Sequence, residues 1–336
     1  MCPPGVDQTM RSPQQWLLYA PELEQRHAFT KNDNDWGTTF TDISSGTVNF
    51  NVWALLARPI HSSVVTHPVK SSSHFHRGRF NTLSNELIDM ILSYISSDPS
   101  DMIALGLTCE SFWYLVAQHI HRCYLKSAAP WAGAKIIFQG SYATELPEFL
   151  VDSPAVLKAD AGDRIRMPPA RQIFWTGWCF KKVKSFTSLE EEWLQAIEMW
   201  KGSSGIPEQR WREMMQHLDT SYLFPRDHPW VLRNLTKKEF VSSKVPERRR
   251  TRGGKDCSET TFEEVLLMKT FWKAHPPYVH YDKECRPSKW AGHCFDIVRE
   301  DVHVAEGGEG WKDLTVSVER DVMAWKMMQE SSEEWS

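Results

Sequence analysis

Phe80-Asn-Thr-Leu-Ser-Asn-Glu-Leu-Ile-Asp-Met-Ile-Leu-Ser-Tyr-Ile95 is the stretch on which the reading of this chain turns. Its apolar residues Leu83, Leu87, Ile88, Ile91, Leu92 and Ile95 recur at the spacing of one face of a 3.6-residue helix. Thr82 or Ser84 can cap its start, and Asp98-Pro99 stops it, because proline disfavours helical geometry in the residue before it. A short second helix is expected from Ser100 or Asp101, carrying Met102, Ile103 and Leu105. A third is expected over Cys109–Lys126, with Phe112, Leu115, Val116, His119 and Ile120 on one side.

A helical unit of under about fifty residues cannot bury every apolar face it carries. An unburied stripe calls for a partner, as in helix-in-groove recognition.

Outward from this segment the chain changes character twice. Residues 1–79 are polar, with Ser and His clusters at Ser62-Ser63, Ser71-Ser72-Ser73, His74 and His76, and much of this stretch reads as loosely ordered. Within it, Val48–Val52 alternates with period two after the turn Ser44-Ser45-Gly46, which predicts a hairpin over residues 38–56. From residue 128 to 336 the pattern mixes strand-like runs with helices. The strand candidates are Ile136–Phe138, Ile173–Trp175, Val231-Leu232, Tyr278–Tyr281 and Phe295–Val298. Helices are expected from Ser188, where Ser188-x-x-Glu191 forms a capping box, and over Pro207–Leu218, Thr260–Ala274 and Ser317–Met328. No regular strand–helix–strand alternation appears, so the fold class is α+β: a small three-helix unit over 80–127 followed by a mixed, Trp-rich domain. A three-residue echo, Trp131-Ala-Gly133 and Trp290-Ala-Gly292, precedes a strand candidate each time.

Composition narrows the function classes. With 336 residues, 41% hydrophobic and 24% charged, the chain can build a packed core. A net charge of −4 gives no global electrostatic argument for nucleic acid or for an anionic membrane surface. Seven widely spaced cysteines without a CxxC pair argue against a disulfide framework and for a reducing compartment. The first residues lack the basic and apolar regions of a secretory signal, and no apolar run approaches bilayer length. The expected location is cytoplasmic, nuclear or both, with no membrane contact. The single glycosylation sequon, Asn234-Leu235-Thr236, reads as chance.

Sixteen tryptophans stand out, and most are expected to be core residues. His280, Cys285, His293 and Cys294 have metal-binding atoms but not ligand spacing, because His293 and Cys294 are adjacent and would point to opposite faces of a strand. No phosphate loop, dinucleotide fingerprint, nucleophile elbow or HExxH motif occurs, so neither a cofactor nor catalysis is expected. Arg248-Arg249-Arg250-Thr251-Arg252 is diluted by Glu247, Asp256 and Glu259 and reads as a solvated loop. Arg233 and Asn234 are expected to satisfy buried backbone groups inside the domain.

Phe80–Ile95 resembles the opening of an F-box, and Asp101-Met-Ile-Ala-Leu-Gly-Leu-Thr-Cys-Glu-Ser-Phe112 resembles its second half. Ser84 stands where that family usually has proline, and Gly106 where a larger residue is common. Trp131–Pro147, Trp230–Val241, Trp290–Ile297 and Trp311–Thr315 are similar to blocks found in the large, functionally unassigned F-box families of mushroom-forming fungi. The resemblance implies a substrate-receptor subunit of a ubiquitin ligase. It would bind a Skp1-like adaptor, and through it a cullin scaffold, while the C-terminal domain presents a protein target. The adaptor contact implied by the resemblance falls on Leu83, Ser84, Leu87, Ile88, Ile91, Leu92, Leu105, Cys109 and Phe112. Ser84 and Gly106 motivate the alternative of a Skp1-independent interaction module that keeps the fold.

Overall fold

Strand Trp16–Ala20 (β1) is the element from which the sheet is best understood. All five of its residues, Trp-Leu-Leu-Tyr-Ala, are buried. A strand covered on both faces reads as a continuous apolar run rather than an alternation. In the computed structural model, which describes residues 15–29, 50–60, 83–95, 98–141, 143, 147–151, 174, 177–201, 205, 208–216, 218–219, 221–225, 228–243, 260–272 and 288–333, the chain divides into two compact units.

One unit comprises Met1–Arg58, Trp131–Val183 and His228–Ser336 and holds every strand among the described residues. Its further strands are β2 (Gln25–Arg26), β3 (Lys135–Gly140), β4 (Lys181–Lys182), β5 (Trp230–Asn234), β6 (Glu239–Ser242), β7 (Phe271–Trp272), β8 (His293–Arg299) and β9 (Lys312–Asp313). The sheet order is β4-β2-β1-β3-β8-β5-β6-β9, with β7 added to β3. β1 runs antiparallel to β2 and β3, β5 antiparallel to β6 and β8, and β3 antiparallel to β8, whereas β4 and β9 pair in parallel with β2 and β6. The two outer strands are two residues long and carry lysines, a common way of blunting an exposed edge.

Helix α1 (Val52–Leu56) belongs to this unit. Its cap is Asn51, whose side chain accepts from the Ala54 N–H. The expected hairpin over 38–56 is therefore corrected at its C-terminal end, where the Asn51 cap turns the chain into a helix. Residues 38–49 lie outside the described residues. Much of residues 1–79 was expected to be loosely ordered; within it β1 and β2 are parts of the sheet unit, because the apolar β1 supplies a pairing partner for β3.

The other unit comprises Pro59–Pro130 and Lys184–Asp227, and its elements among the described residues are helical. It contains α2 (Asn85–Ile95), α3 (Pro99–Thr108), α4 (Glu110–Ser127), α6 (Phe186–Lys201) and α7 (Glu208–Gln216), while the short α5 (Glu148–Val151) lies in the sheet unit. Thus the three expected helices form with nearly the expected bounds, but they share a unit with 184–227 rather than standing apart from it. The reason is apolar cover: α6 packs along α3 and α4, and its Trp193, Ala196 and Ile197 are buried. Trp200 Nε1 also donates to the Ser100 carbonyl at 3.2 Å and to its hydroxyl at 3.0 Å.

The remaining helices are α8 (Phe262–Thr270), α9 (Glu300–Ala305) and α10 (Thr315–Glu333). Thr261 and Glu264 form a full capping box on α8. The helix expected over Thr260–Ala274 stops at Thr270, because Phe271 and Trp272 pair with Phe138 and Gln139 of β3. Phe174, expected in a strand, is helical, and the strand candidate Tyr278–Tyr281 lies outside the described residues. The overall class is mixed helix and sheet, compatible with α+β.

Candidate functional site

Helix α2 is apolar on two sides. Ile88 and Leu92 are fully buried and hold α2 against α3 and α4. Leu87, Met90, Ile91 and Tyr94 are exposed, with relative exposures of 45%, 61%, 38% and 88%. Positions 87, 90, 91 and 94 follow the i, i+3, i+4, i+7 rule and lie on one stripe. Removing a side chain such as Leu or Ile from water contributes about 1.5–3 kcal/mol, so a partner covering this stripe gains several such terms.

Local chemistry sets up the helix. The Ile88 N–H bonds the Ser84 carbonyl at 3.1 Å, and the Ser84 hydroxyl reaches the Leu87 N–H at 3.5 Å, the limit for such a bond. The Ser84 hydroxyl also holds the Glu86 carboxyl below the usual glutamate range. α3 begins at Pro99, and the Asp98 carboxylate accepts from the Ser100 N–H at 2.8 Å. An exposed Arg122–Asp89 ion pair at 3.0 Å ties α4 to α2.

The residues singled out from the sequence therefore separate into two groups. Ser84, Leu87 and Ile91 face solvent, and Leu83, Leu105 and Cys109 are half-buried. Ile88, Leu92 and Phe112 are interior and act as packing residues. Met90 and Tyr94 complete the exposed stripe and were missed, although their spacing from Leu87 was visible in the sequence. Gly106 has a packing reason: a Cβ there would fall 2.9 Å from Trp113 Cε3 and 3.4 Å from Val116, so glycine allows α3 and α4 to approach.

A second cluster lies in the sheet unit. Arg233 on β5 is 3% exposed and donates through Nε and Nη2 to Asp296 on β8 at 2.8 and 2.6 Å, and through Nη1 to Glu306 at 2.8 Å. Arg58 reaches Glu306 at 3.0 Å and Asp296 at 3.4 Å. The guanidinium of Arg233 lies over the Trp311 ring, 5.5 Å from its centroid. Burial acts to lower the Arg233 pKa, but its hydrogen bonds and the charges of Asp296 and Glu306 outweigh it and raise the value. Burial likewise acts to raise that of Glu306, and the two arginines bring it below the usual range. His303 packs against Phe240 and Trp311 with both ring nitrogens buried and unpaired, and burial with the nearby Arg233 lowers its pKa.

These charges satisfy one another, so Arg233 is structural as expected, but its partners are the Asp296 and Glu306 carboxylates rather than backbone groups. Asn234 is fully buried, and its side-chain oxygen accepts from the Thr236 and Lys237 N–H groups. Among the described residues no group of three or more His, Cys, Asp or Glu side chains could hold a metal ion. His280, Cys285 and the Arg248–Arg252 run lie outside the described residues. Among the described residues, no helix is long and apolar enough to cross a membrane. No protein-family model matches the chain, and no curated protein or solved structure shows significant similarity to it.

Proposed function

We propose that this protein is an F-box substrate receptor of a Skp1-cullin-type ubiquitin ligase. In this reading α2 and its neighbours dock a Skp1-like adaptor, and the Trp-rich sheet unit presents a protein target. The observation that carries the reading is the exposed stripe Leu87, Met90, Ile91 and Tyr94 on a helix whose opposite side is already buried. Such a protein performs no bond chemistry. It raises the effective concentration of the target near the transferring enzyme.

The test is co-purification of the intact chain with a fungal Skp1-like adaptor. A 1:1 complex is expected, and Leu87→Ala with Ile91→Ala should weaken it at least tenfold while leaving the fold intact, since neither side chain is interior. A folded wild-type chain that shows no association at tens of micromolar rules the reading out.

Ser84 favours one second reading, an interaction module that uses the same stripe without Skp1. Ser84 is exposed at the head of the stripe, where the family's proline ring would sit. Under this reading Ser84→Pro creates adaptor binding that the wild type lacks. Tight binding by the wild type removes it.

A further inference from the structure

We infer that the sheet unit is a tandem duplication: two copies of one fold about a pseudo-twofold axis, the segment 59–130 that carries α2, α3 and α4 being an insertion in the first copy. The sheet order shows it first, because β4-β2-β1-β3 is followed by its mirror, β8-β5-β6-β9.

The register agrees residue by residue. In the first copy Tyr19 faces Arg26 and Ala20 faces Gln25; at one constant offset, Arg233 faces Phe240 and Asn234 faces Glu239 in the second. Trp16 faces Gly140 as Trp230 faces Arg299, and Tyr19 faces Ile137 as Arg233 faces Asp296. The outer strands pair Gln25 with Lys181 and Glu239 with Lys312. The turn before each inner-hairpin return strand places the matching residue, Glu24 or Lys238, in the left-handed region at φ 50° and 52°.

The contacts that lie outside regular pairing repeat as well. The Trp131 N–H bonds the Leu55 carbonyl, and the Trp290 N–H bonds that of Lys269. Trp131 Nε1 donates to Gln25 at 2.8 Å, and Trp290 Nε1 to Glu239 at 2.7 Å. Gly133, at φ 80°, donates its N–H to the Phe295 carbonyl, while Gly292, at φ 76°, donates to that of Ile136, both at 2.8 Å. The Ala57 bridge to Ile297 matches the pairing of Phe271 with Phe138. At the sheet ends, Ser141 bonds Gln15 as Glu300 bonds Pro229, and Lys181 bonds Glu24 as Lys312 bonds Lys238.

The axis passes through the facing pair Lys135 and Cys294, which are each other's counterparts. Sequential strands commonly neighbour one another, but independent matches of register, turn conformation and indole hydrogen bonds do not follow from that tendency. The copies differ where one would expect specialisation. Tyr19, Ile137 and Phe180 in the first are replaced at matching positions by Arg233, Asp296 and Trp311 in the second. The insertion also fits the path of the chain. It leaves after Arg58 and returns at Trp131, two points held by the Ile297 and Leu55 carbonyls within the sheet unit itself.

Two variants of the full chain test this. The first is a circular permutant that opens between Asp227 and His228 and joins Ser336 to Met1 through a short Gly-Ser linker. If the halves are equivalent copies, the span from β9 to β1 equals the span from β4 to β5, and the order of the copies is interchangeable. The expected result is a soluble protein with the parent's oligomeric state, cooperative unfolding and a Tm within about 5 °C of the parent. The second is Lys135→Cys, which on oxidation should link to Cys294 across the axis, read by mass spectrometry of the intact protein's peptides; facing residues in an antiparallel pair lie within disulfide reach. A permutant that fails to fold while the crosslink forms overturns the equivalence of the copies. Absence of the crosslink in a folded chain overturns the axis.

Discussion

Replacing Asp296 by alanine is the sharpest probe of the sheet unit. Asp296 accepts two hydrogen bonds from Arg233 at 2.8 and 2.6 Å, and both side chains are under 5% exposed. Breaking a buried pair by removing one partner costs about 3–5 kcal/mol, because a charge is left uncompensated away from water. Here Glu306 keeps one bond to Arg233 at 2.8 Å, and the Trp311 face stays in place, so the lower end of that range, about 3 kcal/mol, applies. The double replacement Arg233→Met with Asp296→Leu removes both charges at similar volume and should cost less than about 1 kcal/mol, since buried ion pairs are commonly matched by packed apolar residues. The assay is urea unfolding followed by hydrogen exchange at the β5 and β8 amides, which reads this unit separately from the helical one. With an m-value of about 1–3 kcal/mol/M, the alanine variant should lower Cm by roughly 1–3 M at unchanged m. An alanine variant within about 1 kcal/mol of wild type, or a double variant as unstable as the single, refutes the reasoning.

Further expectations concern other sites. Gly106→Leu should destabilise the helical unit by about 1–3 kcal/mol through overpacking against Trp113 and Val116, exceeding the helix-propensity gain of up to about 1 kcal/mol; a thermal scan of the variant checks the sign. Because the folded-state pKa of His303 is lowered, the unfolded chain takes up the proton first, so this residue makes the sheet unit lose stability as pH falls below about 6.5, and His303→Phe should flatten that part of the pH profile. The depressed Glu306 acts in the same direction at lower pH: its contribution is present above the ordinary glutamate range and is lost as pH falls towards the folded value. Arg58→Ala should reduce that loss. Expression through a secretory route should leave Asn234 unmodified, as shown by an unchanged intact mass, because its side chain is fully buried and bonds its own turn.

Part of this architecture was legible in the chain alone. The helix Asn85–Ile95 follows from apolar periodicity ended by Asp98-Pro99, and β3, β5 and β8 from short apolar runs. These are local patterns, and local physics decides them. β1 escaped notice because a doubly covered strand does not alternate, and its five apolar residues sit within a polar stretch. Period alone also grouped Leu87, Ile88, Ile91 and Leu92 on one face. Ile88 and Leu92 turn inward and Leu87 and Ile91 outward because α3 and α4 cover only one side of α2. Trp131-Ala-Gly133 and Trp290-Ala-Gly292 were visible as an echo, but three residues do not establish a repeat. Only the pairing of β3 with β8, together with the indole bonds to Gln25 and Glu239, shows the two turns to be counterparts. The amino-acid order thus determined elements whose signal is local: apolar periodicity and capping for helices, short apolar runs for strands. Tertiary packing decided which apolar face of α2 is left uncovered, because neighbouring helices cover one side only, and which distant segments are copies of one another, because pairings such as Trp16 with Gly140 join residues far apart in the chain.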